Sequence, residues 1–125
     1  MVLLRGIVLI ALAFLLPLQW GCYRRPNLED ELLARLSAKA AGERLRAVLS
    51  IKDSLPIPER VMPALIAAVN DDDLRVRRAA AETLGWSGTT GKPHLAKLTD
   101  LANTHPDAEV RNSLHQAIVK IGESQ

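Results

Sequence analysis

The feature that most constrains this chain is that it repeats itself. Asp73-Leu74-Arg75-Val76-Arg77 returns 34 residues later as Asp107-Ala108-Glu109-Val110-Arg111, and the same step pairs Leu84 with Ile118 and Gly88 with Gly122. Both segments have the form of a helix opened by an Asp N-cap, with Val three residues on. The apolar line then continues as Val76, Ala80, Leu84 in one and as Val110, Leu114, Ile118 and Ile121 in the other, at the spacing of one helical face. A proline-opened helix precedes each: Met62-Pro63-Ala64-Leu65 corresponds to Lys92-Pro93-His94-Leu95, at an offset of 30. The difference of about four residues is close to one helical turn, so the later first helix, near Lys92 to Asn103, is expected to be a turn longer. Helix, Asp-rich turn, helix and Gly-containing loop at a period in the thirties describe a hairpin that cannot bury its apolar faces alone and needs stacked neighbours.

The packing material agrees. Phe14, Trp20, Tyr23 and Trp86 are the whole aromatic set, and the first three lie in or beside the apolar N-terminus. The folded body must therefore pack Leu, Ala, Val and Ile, which suits closely packed helices better than sandwiches or barrels. Asn27 is a plausible N-cap for a first helix, with Glu29, Asp30 and Glu31 in its opening turn and Lys39 near its end. Leu32, Leu33 and Leu36 form its stripe. A second helix, about Glu43 to Ser54, is expected to bury Leu45, Val48, Leu49 and Leu55, and Pro56-Ile57-Pro58 closes the unit.

Val61 to Gly85, with its Pro63-Ala64-Leu65-Ile66 opening, its Asp71-Asp72-Asp73 run, Val76-Arg77-Arg78-Ala79-Ala80 and the closing Leu84-Gly85, resembles a HEAT repeat. It is particularly similar to the short variety found in phycobilisome-lyase-like proteins. Pro93 to Gly122 is a weaker second copy, and Asn27 to Leu55 a degenerate first one without the Val-Arg signature. The resemblance implies an all-α chain, an α-solenoid of about three helical hairpins in a HEAT-like superhelix, over residues 27–125. It also implies a ladder of Asp in the turn and Arg at the start of the second helix running between neighbouring repeats. Asp71 or Asp73 with Arg77, and Asp107 with Arg111, take those places, and their expected role is repeat stacking. A partly exposed ion pair adds on the order of 0–1 kcal/mol, so the ladder sets the stacking angle while the apolar stripes supply the stability.

No catalytic site is expected. Gly88-Thr89-Thr90-Gly91-Lys92 is similar to a phosphate loop, but Trp86 occupies the first glycine position, no strand precedes it, and Pro93 stands where a magnesium-binding Ser or Thr is needed. His94, His105 and His115 lack metal-ligand spacing and a cysteine partner, and are expected to face solvent or cap helices. The glutamates are scattered over helix surfaces, and no pair suggests acid–base work. No metal and no cofactor is expected. Arg75, Arg77 and Arg78 are the densest basic cluster, offset at once by Asp71 to Asp73. With a net charge of only +2, no nucleic-acid binding is expected. Trp86, together with Arg75 and Arg78, is a candidate partner contact; the alternative for Trp86 is packing over the neighbouring repeat.

The N-terminus reads as a bacterial export signal: Arg5, an apolar run from Gly6 to Leu16, then Pro17 to Gly21 and Cys22. The run is short for a spanning helix, which wants roughly 20 apolar residues. Gly21-Cys22 resembles the lipobox of bacterial lipoproteins, in which the cysteine is lipidated and becomes the first mature residue. Gln19 stands where that box prefers Leu, and bulky Trp20 where a small residue is usual. Residues 1–21 are thus a signal peptide or an uncleaved membrane anchor, and residues 22–26 a lipidated Cys and tether. A single cysteine excludes an internal disulfide framework, and multiple acyl chains would hold the protein on the bilayer. The expectation is an envelope protein, membrane-anchored and facing the extracytoplasmic side, that binds or scaffolds a protein partner and is not an enzyme. The alternative, resting on resemblance alone, is an accessory or degenerate lyase-like protein.

Overall fold

The computed structural model describes residues 27–125, so the signal, anchor and lipidation assignments at residues 1–26 lie outside the described residues. Among the described residues six α-helices make three hairpins: α1 (Leu28–Leu36) with α2 (Ala41–Asp53), α3 (Met62–Ala67) with α4 (Leu74–Leu84), and α5 (Leu95–Thr104) with α6 (Ala108–Glu123). A 3-10 turn, Ala68–Asn70, extends α3, and another, Gly88–His94, leads into α5. There is no strand among the described residues, and the chain is an all-α solenoid.

Local chemistry explains where the helices begin. Asn27 accepts a hydrogen bond from the Asp30 amide at 2.8 Å. Asp73 takes the amides of Arg75 and Val76 at 2.9 and 3.4 Å, and Asp107 those of Glu109 and Val110 at 2.9 and 3.3 Å. These satisfy donors that have no partner inside the helix. Ala40, at the matching position before α2, offers no side-chain cap.

The second helices, α2, α4 and α6, lie side by side and form the continuous layer, with α4 in the middle. Val76, Ala80 and Leu84 of α4 and Val110, Leu114 and Ile121 of α6 are all buried. In α2 the buried set is Ala47, Val48 and Ile51. The expected Leu49 and Leu55 are instead 45% exposed each. The repeat register explains this correction: Ala47 and Ile51 stand 33 residues before Ala80 and Leu84, so the template continues into the first hairpin and turns Leu49 outward. The extra turn expected of the first helix in the third hairpin is present as 3-10 winding, and the α-helix proper starts at Leu95.

That 3-10 segment contains the phosphate-loop-like glycines, whose roles here are steric. Gly88 has φ +55°, a conformation costly for residues with a Cβ. A Cβ on Gly91 would collide with Ser87 Oγ and lie 2.8 Å from Ile121 Cδ1, so this glycine lets the loop close on α6. No helix among the described residues is long and apolar enough to cross a membrane.

Candidate functional site

The turn between the two helices of each hairpin carries most of the chain's organised polar chemistry. Three arginines at equivalent positions near the start of α2, α4 and α6 hold it together. Arg44 Nη1 donates to the carbonyls of Ala38 and Lys39 at 2.9 and 2.8 Å. Arg77 Nη1 does the same to Asp71 and Asp72 at 2.8 and 3.2 Å, and Arg111 Nη1 to His105 and Pro106 at 2.7 and 3.0 Å. Each arginine thus ties its helix back to its own turn, satisfying carbonyls of the turn residues that follow the preceding helix.

The remaining edge of the guanidinium reaches toward the next hairpin. Arg44 Nε and Nη2 donate to the two carboxylate oxygens of Asp71 at 2.7 and 2.8 Å, and Nη2 also reaches Asp72 at 2.5 Å. Arg77 Nη2 lies 3.9 Å from Asp107 Oδ2, a looser pair, and its Nε is buried without a partner. A cleft of about 430 Å³ opens there, lined by Asn70, Asp71, Arg77, His105, Pro106 and Asp107.

The pairing differs from expectation in three places. Asp71 takes its side-chain partner from the preceding hairpin, Arg44, because the ladder runs forward from each arginine to the next turn. Asp73 stays local, capping α4 and pairing with Arg75 at 2.9 Å. Arg111 stacks against no neighbour, since the described residues provide no hairpin beyond it. Arg75 is therefore engaged within its own turn, while Arg78, expected as a partner contact, bridges to Glu109 of the third hairpin at 2.6 Å. Lys52 to Glu82, also at 2.6 Å, bridges the first and second hairpins from different repeat positions.

Electrostatics follows the geometry. The hydrogen bond from Arg44 holds the Asp71 carboxyl below its ordinary range against the opposing effect of burial. Asp73, bonded first by the Arg75 side chain, is lowered to about 2. Burial alone would raise Asp107, but the Val110 and Glu109 amides and the nearby Arg78 and Arg77 charges bring it below its usual value.

His105 stands at the C-cap of α5, one of the two places expected of the histidines, but its ring does not face solvent. It is buried, at 4% exposure, and both ring nitrogens are used: Nδ1 accepts from the Asp107 amide at 3.0 Å, and Nε2 is 3.0 Å from the Val69 carbonyl. With an amide as donor on one side and a carbonyl as acceptor on the other, the ring fits as the neutral Nε2–H tautomer. It occupies the position of Asp71, which accepts the Asp73 amide at 2.9 Å. The 34-residue step from Asp71 to His105 was the available signal. Arg44 was missed for a similar reason: its 33-residue distance from Arg77 falls in a hairpin whose turn lacks the acidic signature.

On the outer surface Trp86 is 48% exposed, with Lys120 Nζ 4.7 Å from the ring centroid, so it touches the neighbouring hairpin through a cation–π contact and still faces solvent. His115 is exposed, and His94 stands at the N-cap position of α5 without a side-chain hydrogen bond to it. A separate apolar groove of about 270 Å³ runs between α1 and α3, lined by residues including Leu33, Leu36, Ala64 and Ala67. Among the described residues no group of three or more His, Cys, Asp or Glu is placed to hold a metal ion.

No curated protein matches this chain. The family model of HEAT repeats matches residues 29–119, from the first turn of α1 to the last turns of α6. Stacked hairpins, equivalent second helices and a forward-running arginine–aspartate ladder are thus the structural expression of that match, and the chain belongs to the HEAT-repeat family.

Proposed function

We propose that this chain is an envelope-anchored binding or scaffolding module that presents its stacked helices to a protein partner and has no catalytic activity of its own. HEAT repeats commonly serve as protein-interaction modules. The observation that carries the reading is the use of the polar groups: five of the ten ion pairs among the described residues join neighbouring hairpins, while large apolar side chains stand outside the core. Trp86 and Val119 are 48% and 58% exposed, and a rigid exposed tryptophan is a favoured anchor for a partner. The anchoring half of the proposal rests on sequence alone, on the apolar run Gly6 to Leu16 followed by the single cysteine, Cys22. The protein would then sit in the bacterial envelope, facing the extracytoplasmic side and held by lipid or by the N-terminal segment.

Affinity purification from membrane extracts, read by mass spectrometry, tests the binding role. A stoichiometric protein partner that is lost in Trp86→Ala supports it; a covalently carried or bound tetrapyrrole would replace it with the lyase-like alternative. Radiolabelled palmitate should mark the wild type and not Cys22→Ser, and an unlabelled wild type refutes lipidation.

A further inference from the structure

Arg111 differs from every other arginine of the described residues. From Arg35 to Arg78 each of the others has a carboxylate partner, whereas Arg111 forms no ion pair, and residues 1–26 contain no Asp or Glu to supply one. Its side chain is nevertheless held in place: Nη1 is fixed by the carbonyls of His105 and Pro106 at 2.7 and 3.0 Å. Arg44 and Arg77, anchored in the same way, turn their free edges to the carboxylates of Asp71 and Asp107 in the following hairpin. At Arg111 the same edge meets no carboxylate among the described residues.

We propose that Arg111 receives a carboxylate from a partner protein, and that the stripe Arg111, His115 and Ile118 of α6 is the surface on which an acidic, aliphatic segment of that partner lies. This rests on the binding role proposed above and specifies its surface. The three residues fall at i, i+4 and i+7, one face of a helix; His115 is exposed and Ile118 half-buried against the core. Leu84, the equivalent of Ile118, is fully buried on α4, the helix that packs against α6, so this stripe is the face on which a further element would pack.

The occupant is constrained by what the stripe lacks. His115 stands where the equivalent Val48 of α2 and Ala81 of α4 are small or aliphatic and fully buried, so another hairpin of the same template does not fit closely. A second copy stacked head to tail would offer Ser37-Ala38-Lys39-Ala40, the turn equivalent to the acidic ones, and bring Lys39 toward Arg111. Like charges at a junction disfavour that arrangement. A foreign segment with Asp or Glu one helical turn from an aliphatic residue satisfies both the charge and the apolar surface.

The test places a photo-crosslinking benzoylphenylalanine at position 115 of the full chain in its native cells, with a second chain carrying it at position 86. From position 115, the expected product contains a different protein, joined within one helical turn of an Asp or Glu. Its yield should fall about tenfold in Arg111→Gln, as loss of a desolvated charge pair implies, and stay unchanged in Arg46→Gln. In the wild type the yield should also fall with added salt, a readout independent of any folding defect in the variant. Undiminished yield in Arg111→Gln, attachment away from any carboxylate, a product containing a second copy, or no product from position 115 each overturn the proposal. A product from position 86 alone overturns it while leaving the binding role standing; no product from either position removes both.

Discussion

The junction between the first and second hairpins and the junction between the second and third share a backbone frame and differ in what locks it. At the first, Arg44 grips Asp71 with two hydrogen bonds of 2.7 and 2.8 Å and also reaches Asp72. At the second, Arg77 stands 3.9 Å from Asp107, and His105 takes the position of Asp71, crossing to the Val69 carbonyl at 3.0 Å. One junction is clamped by charge and the other by a buried ring with both nitrogens bonded. The stacking of α2, α4 and α6 is common to both, which shows that the aliphatic layer fixes the architecture and leaves the turn chemistry free to vary.

The largest effect should come from removing what the junctions share. Leu84→Ala, in the middle helix, is expected to cost about 2–5 kcal/mol, read as a lower midpoint in urea unfolding followed by circular dichroism. Breaking the second junction alone, His105→Ala leaves the Asp107 amide and Val69 carbonyl without their partner and should cost roughly 1–3 kcal/mol.

The first junction should be broken by acid. The Asp71 carboxyl is lowered in the folded state, so its contribution is complete above the unfolded value of about 4 and is lost as pH falls through the folded one. Stability should therefore decline on going below about pH 4, and Asp71→Asn should flatten that decline, measured by thermal melts across the acid range. Asp73, lowered to about 2, contributes at the lower end of the same window and remains in the variant. The smallest effect sharpens the contrast between caps: Ala40→Asp gives α2 the cap that α4 and α6 already have, and should stabilise the protein by about 0.5–1 kcal/mol.

Much of this was legible in the sequence wherever the repeat was spelled out. Val76 and Val110 start equivalent helices because Asp73 and Asp107 cap them, and both signals are local. The first hairpin was harder, since Ala40 and Glu43 replace the Asp and Val that mark the template elsewhere, leaving Leu49 to look like core when it faces outward. The direction of the ladder was not readable either. A sequence places an aspartate and an arginine in one turn, but whether they pair with each other or across to the next hairpin depends on how far the layers are offset. His105 illustrates the same limit: an isolated histidine resembles a surface residue until the fold brings the Val69 carbonyl to its Nε2.

Two double-mutant cycles test the contrast most directly, one on Arg44 and Asp71 and the other on Arg77 and Asp107, each built from alanine variants and measured by urea unfolding at low and high salt. A larger coupling for Arg44–Asp71, shrinking as salt is added, is the predicted result. Equal couplings, or a stronger Arg77–Asp107 pair, would contradict the assignment of a charged clamp to one junction and a histidine latch to the other.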